Sequence, residues 1–327
     1  MNCMKPTTSS APRRPPSERL RHRPTNESEA VIRLDALSFR YGEFLAVDHL
    51  DFEIRHGEIF ALLGTNGAGK TTTLELIEGF RAPSSGTVQV LGLDPQRHRQ
   101  ALAARTGTML QEAGLINELT AAETLRMWAG LSSRTDRVEA VLELIGLDDR
   151  QEVAVERLSG GERRRLDFGL AIWGRPQLII LDEPSTGLDP ESRQRLWATV
   201  RSLREAGSTI VLTTHYLNEA QALADRVAIM HQGRIQVLGT MSELLARHPA
   251  RIAATLPAAS GVALPALQGQ VDLAPTSEGL RLTVETKSLQ ADLAALLRWA
   301  TDHHVVLADL SAANASLEEI FLRVGTS

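Results

Sequence analysis

A chain of 327 residues that is 43% hydrophobic and 23% charged can hold one large domain or two unequal ones, with a core of adequate size. Its net charge of −5 gives no overall case for nucleic-acid binding. Its single cysteine, Cys3, excludes an intramolecular disulfide and fits a reducing cytoplasm. No apolar run approaches the roughly 18–20 residues that span a bilayer. The chain is therefore expected to be soluble or peripheral, with any membrane part of its assembly on another chain.

Residues 1–29 are expected to form a disordered tail. Five of the 14 prolines fall there, with six Lys or Arg against three Glu and almost no apolar residues. Arg13-Arg14 is followed by no apolar stretch, so a twin-arginine signal is rejected. From Val31 the pattern changes: 31–34 and 46–54 alternate as strands do. Tyr41-Gly42 lies at the turn between them. Tyr41 suits a half-buried edge position, or a platform on which a nucleobase stacks.

A short apolar run, Ile59 to Leu63, reads as a buried strand. It enters Gly64-Thr65-Asn66-Gly67-Ala68-Gly69-Lys70-Thr71, the pattern G-x-x-x-x-G-K-[ST], and Lys70, Thr71 and Thr72 open a helix. Glycines let backbone N–H groups converge on an anion, and the helix start adds unpaired donors and a positive dipole end. Lys70 can reach the terminal phosphates of a nucleotide, and the Thr71 hydroxyl can ligate Mg²⁺. Only three of the 35 Lys and Arg residues are lysines, and one stands where a compact point charge suits phosphate.

Strands are predicted at 86–91 and 106–111. Gln111 at the second strand's end is compatible with a plain surface role or with joining a metal's coordination shell. Residues 113–173 read as mostly helical. Thr120-x-x-Glu123 is a capping box, and Val138, Val141, Leu142 and Ile145 form one stripe. Ser159-x-x-Glu162 is a second capping box. Gly160 and Gly161 in its first turn disfavour helix by about 1 kcal/mol each relative to Ala, which makes sense if the helix start must approach a phosphate closely.

Leu178 to Leu181 reads as a strand buried on both faces, ending in Asp182-Glu183. Behind a phosphate loop the two carboxylates separate in role. Asp182 suits Mg²⁺ through water, and Glu183 suits orienting and deprotonating an attacking water. Asp189-Pro190 caps the next helix, whose inner stripe is Leu196, Val200 and Leu203. Another buried strand, 209–214, ends at His215, placed to bond a γ-phosphate.

The pattern shifts near His248-Pro249. Strands are predicted at 251–256, 280–285 and 305–310. A helix is predicted with one face formed by Leu289, Leu293, Leu296, Leu297 and Ala300, and a capped helix at 316–322. Adjacent His303-His304 has poor spacing for a metal.

Taken together, residues 31–245 resemble the ATP-binding subunit of an ABC transporter. Tyr41 fits the adenine-stacking aromatic. Gly64 to Thr71 fits Walker A, with Thr65 where the family commonly has Pro. Gln111 fits the Q-loop, and Leu158 to Glu162 the family signature, with Glu162 where Gln is usual. Leu178 to Glu183 fits Walker B plus the catalytic glutamate. Ser185 to Asp189 fits the D-loop, and His215 the switch histidine. The segments 250–327, 110–115 and 213–219 are similar to bacterial drug- and antibiotic-export ATPases of the daunorubicin-resistance type.

The resemblance implies an α/β P-loop ABC ATPase core at 30–245 with a helical subdomain at about 113–173, followed by a small α+β accessory domain at 250–327. It implies ATP and Mg²⁺ as ligands, with Thr71, Gln111 and Asp182 at the metal. It implies Glu183, His215 and Lys70 as catalytic groups. A homodimer would bring Ser159, Gly160, Gly161, Glu162 and Asp189 of one copy onto the nucleotide of the other. A separate integral membrane permease would dock on the helical segment at the cytoplasmic face, for efflux of a drug, antibiotic or other amphipathic compound; no nucleic acid is expected. A soluble ABC ATPase acting on ribosomes or nucleic acid usually carries two cassettes or a long coiled-coil insertion, and neither is visible. Intact Glu183 and His215 argue against a module that hardly hydrolyses. An importer subunit is disfavoured by the C-terminal resemblance alone.

Overall fold

The computed structural model describes residues 30–111, 114–257, 263–277 and 279–325. The basic tail expected at 1–29 lies outside them. β1 (Ala30–Tyr41) and β2 (Phe44–Arg55) form an antiparallel hairpin. β3 (Ile59–Gly64) leads through the glycine-rich turn into α1 (Lys70–Ile77), and β4 (Ser85–Val90) returns to the free edge of β1. This gives a three-stranded sheet in the order β2-β1-β4.

After α2 (Arg99–Ala103) and β5 (Thr106–Met109) the chain leaves the sheet. It forms α3 (Ala121–Leu131), α4 (Val138–Ile145), two 3-10 turns and α5 (Gly160–Ile172). It comes back as β6 (Leu178–Asp182), α6 (Pro190–Glu205), β7 (Thr209–Thr214), α7 (Leu217–Leu223), β8 (Arg226–His231), β9 (Arg234–Thr240) and α8 (Met241–Arg247). The central sheet has the order β5-β6-β7-β3-β8-β9, parallel except for β9.

The apolar runs of β3, β6 and β7 are buried along their whole length because the sheet is covered on both faces. Alternate residues divide between two cores. Ile59, Ala61 and Leu63 face the cluster built with α3 to α7, while Phe60 and Leu62 face the one built with α1 and the first sheet. Open parallel sheets present ligand sites at the carboxyl ends of their strands. Here the register aligns Leu63 with Thr214 and Asp182 with Thr213 at one edge.

Beyond α8 a second sheet is formed by β10 (Ala250–Leu256), β11 (Gln270–Thr276) and β12 (Gly279–Thr286). α9 (Leu289–Asp302) packs on it, and β13 (Ala308–Ala313) completes it in the antiparallel order β11-β12-β10-β13. Pro275 is tolerated because β11 is an edge strand. The strand expected at 305–310 begins three residues later. Val305 closes the end of α9 by donating to Ala300 O (2.9 Å), and Val305 and Leu307 pack against the core without joining the ladder. Leu297, expected on the inner face of α9, is 43% exposed, and Trp299 is buried instead. The final helix, α10 (Leu317–Gly325), has Ser316 and Glu319 as its capping box. Leu317 and Ile320 do not enter the second sheet's core. They are buried in the cluster of the central sheet, against α7, α8 and β8.

Candidate functional site

β3 stops at Gly64, where a Cβ would lie 2.6 Å from Met230 O. The loop then turns, with Ala68 N–H donating to Thr65 O (3.1 Å), and exposes Thr65, Asn66 and Gly67. Gly69 is the N-cap of α1 at φ 102°, and a Cβ there would meet Ala46 O at 2.4 Å, so only glycine fits. The cap has no side-chain acceptor and the first turn carries no acidic residue. The positive end of the helix is therefore not neutralised from within, as an anion site requires. Lys70 is 6% exposed and donates from Nζ to Gly64 O (2.9 Å) and Thr65 O (3.2 Å), two of its three donors. Burial holds its ammonium below the usual lysine range, against the opposing pull of the Glu183 and Asp182 carboxylates.

Across the sheet, Asp182 is 3% exposed. It accepts from Thr71 Oγ1 (3.0 Å) and from the Thr213 hydroxyl. A hydroxyl and a carboxylate side by side are hard oxygen donors, a set that fits Mg²⁺. Glu183 follows at φ 48°, in the left-handed region that a non-glycine residue enters at a cost of order 1–3 kcal/mol. Its N–H donates to Thr213 O (3.1 Å) and Thr213 Oγ1 (3.0 Å). This twist brings the side chain to His215, whose Nδ1 is 3.2 Å from Glu183 Oε1, while Thr186 Oγ1 donates to Oε2 (3.4 Å).

Gln111 stands in a bend two residues past the end of β5, not in the strand itself. It lines a pocket of about 370 Å³ together with Thr71, Glu78, Met109 and Asp182. Arg164, unnoticed in the sequence, binds this turn. Its guanidinium donates to Leu110 O and Gln111 O, and to Asp182 O and Glu183 O. The only signal was its place between two other arginines, with Asp167 three residues on. Arg163 turns to Leu158 O and Arg165 to Ser192 Oγ, so one triplet serves three directions.

Ser159 caps α5, with both halves of the capping box made to Glu162 (2.7 and 3.2 Å). Glu162 also meets Arg150 Nε at 3.3 Å. A Cβ on Gly160 would touch nothing within 4 Å, so no contact among the described residues explains the lack of a side chain there. No described hydrogen bond joins Ser159, Gly160 or Gly161 to the phosphate loop of the same chain. Asp189 accepts from Ser192 N (2.9 Å) and Ser192 Oγ (2.6 Å), and so acts within its own chain as the cap of α6. Tyr41, 41% exposed at the end of β1, sits beside α1. Its hydroxyl donates to Glu75 Oε2 (3.2 Å) and lies 3.4 Å from Thr72 Oγ1, and Arg81 covers its ring at 4.7 Å.

Residues 47–186 match the ABC transporter family, and residues 250–316 match the C-terminal domain of ABC transporter domain-containing-like proteins. A Nod factor export ATP-binding protein of Ralstonia nicotianae is 36% identical, over 91% of this chain and 94% of that protein. The chain belongs to the ABC transporter ATP-binding proteins. A linearmycin resistance ATP-binding protein of Bacillus subtilis is 33% identical over 90% of this chain and 98% of its own length. A daunorubicin/doxorubicin resistance ATP-binding protein of Streptomyces peucetius is 35% identical over 86% and 88%. Among solved structures, an ATP-binding subunit of an ABC transporter superposes with a TM-score of 0.62 at 28% identity, covering 66% of this chain and 92% of that one. The dimeric structure of a bacterial ABC transporter cassette shares the fold, with a TM-score of 0.58 at 24% identity, covering 64% and 98%.

Proposed function

We propose that this ABC protein hydrolyses MgATP to drive export of a drug, antibiotic or other amphipathic compound through a separate membrane permease. The observation that carries the proposal is the convergence of Lys70, Thr71, Asp182, Glu183 and His215 at the carboxyl ends of β3, β6 and β7. The phosphate loop and Lys70 bind the phosphates. Thr71 and Asp182, with Gln111 beside them, would hold Mg²⁺, which when bound would supply neutralisation of phosphate charge. Glu183 orients a water in line with the γ-phosphate and takes its proton, while His215 steadies the γ-phosphoryl oxygens. Tyr41 is the adenine platform. Catalysis is then mostly positioning and charge neutralisation.

Two copies work head to tail. The bare Gly160 and the exposed Ser159, with the half-buried Gly161 beside them, suit approach to a phosphate held by the partner copy, with Glu162 holding the cap and the D-loop ending at Asp189. A dimeric relative of the same fold supports this assembly. A groove of about 470 Å³ between α1, α2, β5 and α3, walled by Phe80, Trp128 and Leu131, suits the permease's cytoplasmic helices. Glu78 borders both this groove and the Gln111 pocket, so docking and metal site share a wall. No helix among the described residues is long and apolar enough to cross a membrane, and the chain is placed at the cytoplasmic face by its permease.

The test is purification of a Glu183→Gln chain from native membranes in mild detergent. The variant is expected to bind MgATP, to turn over about 10²-fold or more slower than wild type, and to bring down one multi-span protein in stoichiometric amount. Near wild-type turnover removes Glu183 from the base role. Absence of any membrane protein removes the exporter reading.

A further inference from the structure

One guanidinium gathers four carbonyl oxygens from the two turns that bracket the metal and water positions. Arg164 Nη1 donates to Leu110 O (2.9 Å) and Gln111 O (3.0 Å), and Nη2 to Asp182 O (2.6 Å) and Glu183 O (2.8 Å). All four protons on the two terminal nitrogens are used. A planar fork with fixed donors matches two pairs of carbonyls, which a lysine ammonium cannot do. The side chain is 11% exposed, and among the described residues Asp167 Oδ2, at 3.9 Å, is the carboxylate that pairs with it as an ion. Its charge therefore lies behind the Asp182 and Glu183 backbone.

The consequence falls on Glu183. Its N–H is held by Thr213 and its C=O by Arg164, so the peptides on both sides of a strained residue are fixed. The same guanidinium fixes the backbone of Gln111. Its own Cα lies in α5, four residues after Gly160. We propose that Arg164 is a positioning residue that mounts the Glu183 and Gln111 turns on α5 as one unit, so that any shift of α5 re-aims the water-activating carboxylate. A simple staple of the fold would alter stability without altering catalysis per folded molecule.

The inference rests on the ATPase reading, and the experiment separates the two. MgATP affinity, KM, kcat and thermal midpoint are compared for wild type, Arg164→Lys and Arg164→Gln in the full chain. KM is expected to stay within about threefold, while kcat falls about tenfold for Lys and about a hundredfold for Gln, since small misplacements of a catalytic group cost up to that much. In a Glu183→Gln background the same changes at Arg164 are expected to alter the residual turnover by less than about twofold, because the group being aimed is gone. If Arg164→Gln does not fold, the Lys variant carries both comparisons. Wild-type kcat in the folded Lys and Gln variants overturns the inference, as does an equal loss with and without Glu183. Absence of turnover in the wild type overturns the ATPase reading itself and this inference with it.

Discussion

Glu78 stands just past the last residue of α1 with its Oε1 lacking a hydrogen-bond partner among the described residues, and burial pushes its carboxyl up to about 7. The Asp182 and Glu75 carboxylates push it the same way, while the Thr108 hydroxyl and Arg99 pull it down. A carboxyl whose folded value lies above its unfolded value binds more protons in the folded state. It therefore removes stability as pH rises from about 4.5 to about 7, by roughly 3 kcal/mol at the upper end. Glu78→Gln is thus expected to raise the unfolding free energy by about 2–3 kcal/mol at pH 8 and by under 1 kcal/mol at pH 5. Chemical denaturation of both proteins at the two pH values checks this, and a gain independent of pH would remove the buried-carboxylate account. Asp167, raised to about 6 by burial, loses stability in a lower window, but equally in both proteins. Glu183 shows a different kind of cost at this scale. Its left-handed backbone is held by neighbours, and only the fold reveals which ones.

At the scale of elements, α10 ties the tail of the chain to the central sheet. Leu317, Ile320, Phe321 and Val324 form a stripe with the 3.6-residue period, so the helix must find an apolar partner. The second sheet already packs α9 in its core through Leu296, Trp299 and Ala300. The open apolar surface of α7, α8 and β8 takes α10 instead, and Arg323 reaches back to Glu285 on β12 at 2.7 Å. Leu317, at 0% exposure, should then cost about 2–5 kcal/mol when cut to Ala. The loss is expected in the transition followed by Trp173 and Trp197, which lie in the central cluster, rather than in one confined to Trp299 of the second sheet. Single-tryptophan variants in urea distinguish them, and a change under about 0.5 kcal/mol would detach α10 from the core.

At the scale of the whole molecule, we propose that a second copy completes the nucleotide site. Lys70, Asp182, Glu183 and His215 gather at one edge, while the start of α5 presents Ser159 and a glycine whose missing side chain no contact among the described residues explains. An arginine at Ser159 leaves the phosphate loop untouched but fills the gap through which a second copy would approach. Ser159→Arg is expected to bind MgATP with an affinity within about threefold of wild type and to lose more than about 99% of its turnover. Equilibrium nucleotide binding and steady-state hydrolysis, measured on one preparation, decide this. Turnover that survives would show that each copy completes its own site.

The sequence by itself determined what is local and repetitive in this protein. The strand–glycine turn–helix, the buried runs of β3, β6 and β7, and the capping boxes at Thr120 and Ser159 each follow from a few neighbouring residues whose backbone needs allow little else. The family pattern supplied the spacing between them. Only the tertiary structure decided which backbone groups meet across that spacing. β8 is a short apolar run that periodicity alone does not tell from a helix segment, and β11 is an exposed edge strand carrying Pro275, so neither stands out in the sequence. Arg164 does not stand out among three consecutive arginines because its partners are carbonyl oxygens, which every residue carries and no side-chain pattern records. The placement of α10 was likewise invisible, since an apolar stripe states that a helix must be covered and not by what. Periodicity fixes a face, and long-range packing chooses the partner.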